Sequence, residues 1–129
     1  MPSGQIAAAN ALSRPPIARI HVTNAAVATS GDYFNTRVVD GRVVAHAIDP
    51  RTGQPTDHNL ASVTVVAPDC ATADALATAA LVLGPEDALE LLERVSQVEG
   101  LLLIRTGRAD EPLEWRETSG LQKYRLERR

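Results

Sequence analysis

From Ser62 to Ala67 the chain reads SVTVVA, and Pro68 closes the run. A short, mostly β-branched stretch ended by proline predicts a buried or half-buried strand. From about Thr72 the composition turns to Ala and Leu, strong helix formers, and continues until Gly84 stops it. Gly84-Pro85-Glu86-Asp87 then predicts the start of a second helix, because proline suits the first turn and acids complement the helix dipole. Its apolar positions Ala88, Leu89, Leu91, Leu92 and Val95 share one face, with Glu90, Glu93 and Arg94 outside. Upstream, Ile17 to Val22 alternates loosely and suits a strand, Asn24 a turn, and Ala25 to Thr29 a short extended run. Asp40-Gly41 between Val38-Val39 and Val43-Val44 predicts a two-residue hairpin, since both turn residues tolerate positive φ. The return strand runs through Ala45 to Ile48 and breaks at Asp49-Pro50-Arg51-Thr52-Gly53, with Pro55 prolonging the loop to Leu60. Leu101 to Ile104 predicts a buried strand, Leu113 to Glu117 a further one, and Thr118-Ser119-Gly120 a turn. Strands, two helices, then strands define an α+β order rather than regular alternation of parallel units.

At 129 residues and 44% hydrophobic content, the chain is one globular domain or a piece of a larger one. Residues 1–16 are small and polar and end in Pro15-Pro16, which predicts a flexible arm ahead of a folded portion spanning residues 17–129. Aromatics are only 3%, so Val, Leu, Ile and Ala must build the core. A net charge of −3 argues against a dedicated nucleic-acid binder. Cys70 is the single cysteine, so an intramolecular disulfide and a Cys-rich zinc site are both excluded; it is expected to pack as a buried residue at the strand-to-helix junction. The sequence has no stretch long enough to span a bilayer and no recognisable signal peptide.

Candidate chemistry lies in three polar places. Asp74 is expected in the first turn of the Ala-rich helix, with Thr78 one turn later on the same face. Both offer hard oxygen donors of the kind magnesium prefers, and the helix N-terminus favours phosphate. The alternative is that Asp74 complements the helix dipole and Thr78 bonds back to a carbonyl. Thr29-Ser30-Gly31-Asp32-Tyr33 reads as a small-polar loop, either a plain turn or a backbone able to sit against phosphate. His46 ends a strand, where it is either structural or able to move a proton and stabilise phosphate charge. Asp49 reads as a cap of the turn, and Arg51 as either a solvated charge or a phosphate contact.

Taken in order, T-S-G-D-Y at residues 29–33, H-A-I-D-P-R-T-G-Q-P at 46–55 and A-D-A-L-A-T at 73–78 closely resemble the ApbE family, the FAD:protein FMN transferases. The family pattern is T-S-G-D-Y, then H-x-I-D-P-x-T-G-x-P, then A-D-x-x-S/A-T. The resemblance runs from about Ala25 to Gly84 and more loosely into the C-terminal strands, where Trp115 to Tyr124 is similar to the family's last hairpin. It implies an α+β, T-fold-related fold with a mixed or antiparallel sheet and two main helices, of which this chain is the C-terminal portion. It also implies magnesium-dependent transfer of FMN from FAD to a Thr or Ser hydroxyl of an acceptor protein, with release of AMP. In that scheme Asp74 and Thr78 hold the magnesium, and His46 polarises the acceptor hydroxyl or steadies the phosphate. Ser30, Gly31 and the backbone at Ile48 lie against the flavin substrate. Ala77 stands where some members carry a serine, so that side-chain ligand is absent.

Family members are usually more than twice this long, and their earlier half carries much of the FAD pocket. Many work at the periplasmic face of the cytoplasmic membrane, behind an export signal or lipoprotein anchor that this sequence does not display. Their usual acceptors are subunits of sodium-pumping quinone reductases and Rnf-type complexes. Two other functions compete: a non-catalytic flavin- or protein-binding remnant, and hydrolysis of FAD to FMN and AMP with water in place of the acceptor. FAD titration with and without magnesium discriminates binding from inertness.

Overall fold

The computed structural model describes residues 3–7, 16–31, 37–39, 42–44, 48–55, 59–106 and 113–128. Their strands are β1 (Ser3–Ala7), β2 (Pro16–His21), β3 (Ala26–Gly31), β4 (Arg37–Val39), β5 (Arg42–Val44), β6 (Ile48–Asp49), β7 (Gln54–Pro55) and β8 (Leu60–Ala67). Helices α1 (Cys70–Leu83) and α2 (Pro85–Arg94) follow, then β9 (Glu99–Ile104), β10 (Glu114–Glu117), a tight helical turn at Leu121–Lys123, and β11 (Arg125–Arg128).

All eight residues of β8 are buried, Ser62 and Thr64 among them, so both of its faces are covered. β8 is an inner strand of an antiparallel sheet ordered β10-β9-β8-β3, and this sheet is covered on both faces. On one face Val63, Val65, Ala67, Leu102 and Ile104 pack with Ala73, Ala77, Ala80 and Leu81 of α1 and with Ala88 and Leu92 of α2. On the other, Val66, Leu101 and Leu103 pack with Ala18 and Ile20 of β2 and with Val22 and Leu121. β2 is the middle strand of a second antiparallel sheet, ordered β1-β2-β11. The architecture is therefore α+β in three layers: two helices, a four-stranded sheet and a three-stranded sheet. The face of α1 against the sheet is built from alanines, whose small side chains let the helix lie close to β3 and β8.

The helix boundaries follow from capping chemistry. Asp69 is the N-cap of α1: its carboxylate accepts the backbone N–H of Thr72 at 2.8 Å and the Thr72 hydroxyl at 3.0 Å. Gly84, at φ 91°, ends α1 and admits Pro85 as the first residue of α2. Glu86 and Asp87 then lie in the first turn of α2 and Arg94 in its last, where it pairs with Glu90.

Five expectations need correction. The cap at Asp69 starts α1 at Cys70, so Asp74 lies in the second turn rather than the first. Cys70 is exposed, because Ala73 rather than the first helical residue turns toward the sheet. Thr29, Ser30 and Gly31 form the end of β3 instead of a loop: pairing with Thr64, Val63 and Ser62 of β8 outweighs their weak strand propensity. The stretch expected as a flexible arm contains β1, paired from Ser3↔His21 to Ala7↔Pro16. The last expected hairpin is not one, since β10 pairs with β9 whereas β11 crosses to the other sheet and pairs with β2.

Other expectations agree with the structure. Asn24 turns at φ 56°. The register Val39↔Arg42 leaves two residues between β4 and β5, although Asp40 and Gly41 themselves lie outside the described residues. β6 and β7 pair through Asp49↔Gln54 around a turn containing Gly53 at φ 69°, so the Asp49–Pro55 loop carries a small ladder of its own. Beyond β10, buried Thr118 ties the chain back to β9. Its N–H donates to the Gly100 carbonyl at 3.0 Å; its Oγ1 accepts the Gly100 N–H at 3.0 Å and donates to Glu99 Oε1 at 2.6 Å. Among the described residues, no helix is long and apolar enough to cross a membrane.

Candidate functional site

The candidate site forms where the end of β3 meets the middle of α1. β3 is an edge strand of its sheet, so its helix-facing residues border α1 at the sheet's margin. Strand alternation gives consecutive residues opposite faces. Thr29 places its hydroxyl 2.9 Å from that of Thr64, its cross-strand partner. Ser30 faces the helix layer, and its Oγ lies 3.2 Å from Thr78 Oγ1, a long contact for a hydroxyl pair. Gly31 is crowded: a Cβ there would stand 3.2 Å from the Ala61 carbonyl oxygen and 3.3 Å from Ser62 Cβ. The T-S-G triplet thus carries one hydroxyl for the ladder, one for the helix, and a glycine that lets β3 lie close to β8.

On α1, Asp74 and Thr78 are both exposed and one turn apart, away from the alanine face. β6, which contains Ile48, lies against α1. The structure therefore brings Ser30 of β3 up to Thr78 of α1, with Gly31 next to the first and Asp74 one turn from the second, while β6, the strand of Ile48, contacts the same helix. His46 lies outside the described residues. At the N-cap of α1, hydrogen bonds from the backbone and then the side chain of Thr72 hold the Asp69 carboxyl below its ordinary value, so it is charged at neutral pH. Neither Asp69 nor Thr64 was among the expected site residues. Asp69 had a readable signal, an acidic residue just ahead of the Ala-rich run, with Thr72 at the third helical position. The pairing of Thr29 with Thr64 depends on strand register and has no local signal.

Among the described residues, no group of three or more His, Cys, Asp and Glu side chains gathers as a metal cage. The donors present are one carboxylate and two hydroxyls in an exposed position, all oxygen. This set fits magnesium, which takes one or two carboxylates and keeps several waters or substrate phosphate oxygens. It does not resemble a thiolate- or imidazole-rich transition-metal site.

A layered α+β fold with carboxylate and hydroxyl oxygens at a helix–strand junction is the arrangement the structure presents. The chain belongs to the ApbE family, whose profile matches residues 4–102 and so reaches into the N-terminal stretch. It is 47% identical over 75 residues to the FAD:protein FMN transferase of Escherichia coli K12, covering 58% of this chain and 21% of that protein. With the FAD:protein FMN transferase of Haemophilus influenzae it shares 46% identity over 87 residues, covering 67% of this chain and 25% of that one. Among solved structures, it superposes on the flavinyl transferase ApbE of Pseudomonas stutzeri with a TM-score of 0.70 and 37% identity, covering 81% of this chain and 32% of that chain. The ApbE protein of Thermotoga maritima gives a TM-score of 0.75 at 29% identity, covering 94% and 37%. The chain spans about a fifth to a quarter of the length of these sequence relatives and about a third of the solved chains.

Proposed function

We propose that this chain serves protein flavinylation, the transfer of FMN from FAD to a Thr or Ser hydroxyl of an acceptor protein, with release of AMP. The acceptor oxygen forms a bond to the flavin-side phosphorus of the FAD pyrophosphate. The bond from that phosphorus to the bridging oxygen breaks, and the electron pair leaves with AMP. Asp74 and Thr78 would hold a magnesium ion, which supplies neutralisation of the pyrophosphate and of charge developing on the leaving phosphate. Asp74 contributes the anionic oxygen and Thr78 a neutral one. Ser30 and Gly31 lie beside Thr78 at the end of β3, and the backbone of Ile48 would contact the flavin portion. His46 takes the proton of the acceptor hydroxyl or steadies the phosphate. Family resemblance supports acceptor subunits of the quinone-reductase or Rnf type.

The observation that carries this reading is the 3.2 Å approach of Ser30 Oγ to Thr78 Oγ1, one helical turn from exposed Asp74. It unites two motifs 48 residues apart into one patch of hard oxygens. The test is incubation of the chain with FAD and an acceptor protein, with and without magnesium, followed by chromatographic detection of AMP and of flavin bound covalently to the acceptor; AMP without bound flavin marks hydrolysis instead of transfer. The expected result is magnesium-dependent AMP release that Asp74→Ala abolishes without changing the circular dichroism. AMP release that survives Asp74→Ala, or that ignores magnesium, overturns the proposal. FAD binding without any AMP assigns the chain to flavin binding instead.

A further inference from the structure

Threonine in a helix divides between two χ1 wells, because its hydroxyl can bond the carbonyl three or four residues back. A hydroxyl oxygen that serves a cation must instead turn a lone pair outward and direct its proton elsewhere. Thr78 has an acceptor for that proton across the helix–sheet junction, Ser30 Oγ at 3.2 Å. Ser30 is itself well placed to hold that position. It is paired with Val63 in the middle of fully buried β8. Thr29, before it, is tied to Thr64 at 2.9 Å, and Gly31, after it, lies against Ala61 and Ser62.

We propose that Ser30 is a positioning residue: it accepts the Thr78 hydroxyl proton and so holds Thr78 Oγ1 with a lone pair free for the cation, rather than binding flavin itself. The inference rests on the reading of Asp74 and Thr78 as cation donors. It assigns the T-S-G triplet a mechanical role, in which the β3–β8 ladder sets the orientation of a helix side chain.

Two readouts test it on the full chain. In metal-free protein, three-bond couplings of Thr78 report its χ1; manganese binding is followed by the paramagnetic signal of the free ion. The native chain should show one χ1 well. Ser30→Ala should average the wells and weaken manganese binding by about three- to tenfold, the loss expected for one hydrogen bond. Ser30→Thr, which restores a hydroxyl, should recover both. In a Thr78→Val background, Ser30→Ala should have no further effect on manganese, which a merely structural role would not produce.

An unchanged χ1 in Ser30→Ala overturns the proposal, as does an equal loss of manganese affinity with and without Thr78. A fall in metal-free FAD affinity in Ser30→Ala with Thr78 unmoved also overturns it and makes Ser30 a flavin contact. If manganese binding ignores Asp74→Ala and Thr78→Val while Ser30→Ala still frees χ1, the cation reading fails and the positioning stands.

Discussion

Gly100 and Leu92 give the packing of the helix layer a quantitative test. Gly100 lies on β9 beneath α2, and a Cβ built there would stand 2.5 Å from Leu92 Cδ1 and 3.3 Å from the Thr64 carbonyl oxygen. Leu92 is fully buried among Val63, Val65, Ala88 and Leu102, so it has little room to swing aside. Gly100→Ala therefore overpacks the core and should destabilise by about 1–3 kcal/mol. Leu92→Ala alone empties the same space and should cost about 2–5 kcal/mol. The two changes are complementary in shape, because removal of Cδ1 vacates the volume the new methyl needs. The double variant should consequently be no less stable than Leu92→Ala alone, a favourable coupling of about 1–3 kcal/mol. Urea denaturation followed by circular dichroism measures all three. Simple additivity of the two losses would refute the close contact between α2 and β9. Neither residue belongs to the Ser30–Thr78 patch, so cation affinity per folded molecule should be unchanged in every variant.

Asp69→Ala should lower the melting temperature at neutral pH by uncapping α1. Because folding depresses the Asp69 pKa, its contribution is complete above the ordinary carboxyl range and is lost as pH falls through the folded value, so variant and native melting curves should converge in strong acid. A difference that persists there would deny the cap. Cys70 should react with a thiol reagent in the native state at the rate of an exposed cysteine, whereas labelling that waits for unfolding would place it in the core. Gly120→Ala should loosen the turn after β10: its Cβ would clash with Glu99 Oε2 and displace the carboxylate that Thr118 donates to. Faster hydrogen exchange at the Gly100 amide, which Thr118 Oγ1 accepts, is the expected readout, and unchanged exchange would contradict the linkage. His46→Ala should slow single-turnover transfer at saturating FAD, and native-like transfer would remove it from the chemistry.

Much of this arrangement is legible in the sequence alone. β8 announces itself because a strand covered on both faces is mostly apolar and β-branched, with Ser62 and Thr64 its polar members. The second helix announces itself through Pro85, its acids and its apolar face. What escaped is what depends on distant partners. Thr29, Ser30 and Gly31 look like a loop in isolation, and only their register against Thr64, Val63 and Ser62 makes them a strand. β11 follows β10 closely in the chain yet joins the other sheet, a choice made by β2 and not by local propensity. Asp74 and Thr78 could be placed on one helical face from spacing alone. The closing of Ser30 onto Thr78 could not, because it requires the whole β3–β8–α1 stack.

The central claim is that Asp74 and Thr78 together bind a divalent cation at the end of β3. Calorimetric titration of magnesium into the native chain and into Asp74→Asn tests it most directly, since Asn keeps the shape and removes the charge. Saturable binding to the native chain that Asp74→Asn loses, at unchanged thermal stability, is the predicted result. Equal binding isotherms for the two proteins, or no saturable binding to either, would contradict it.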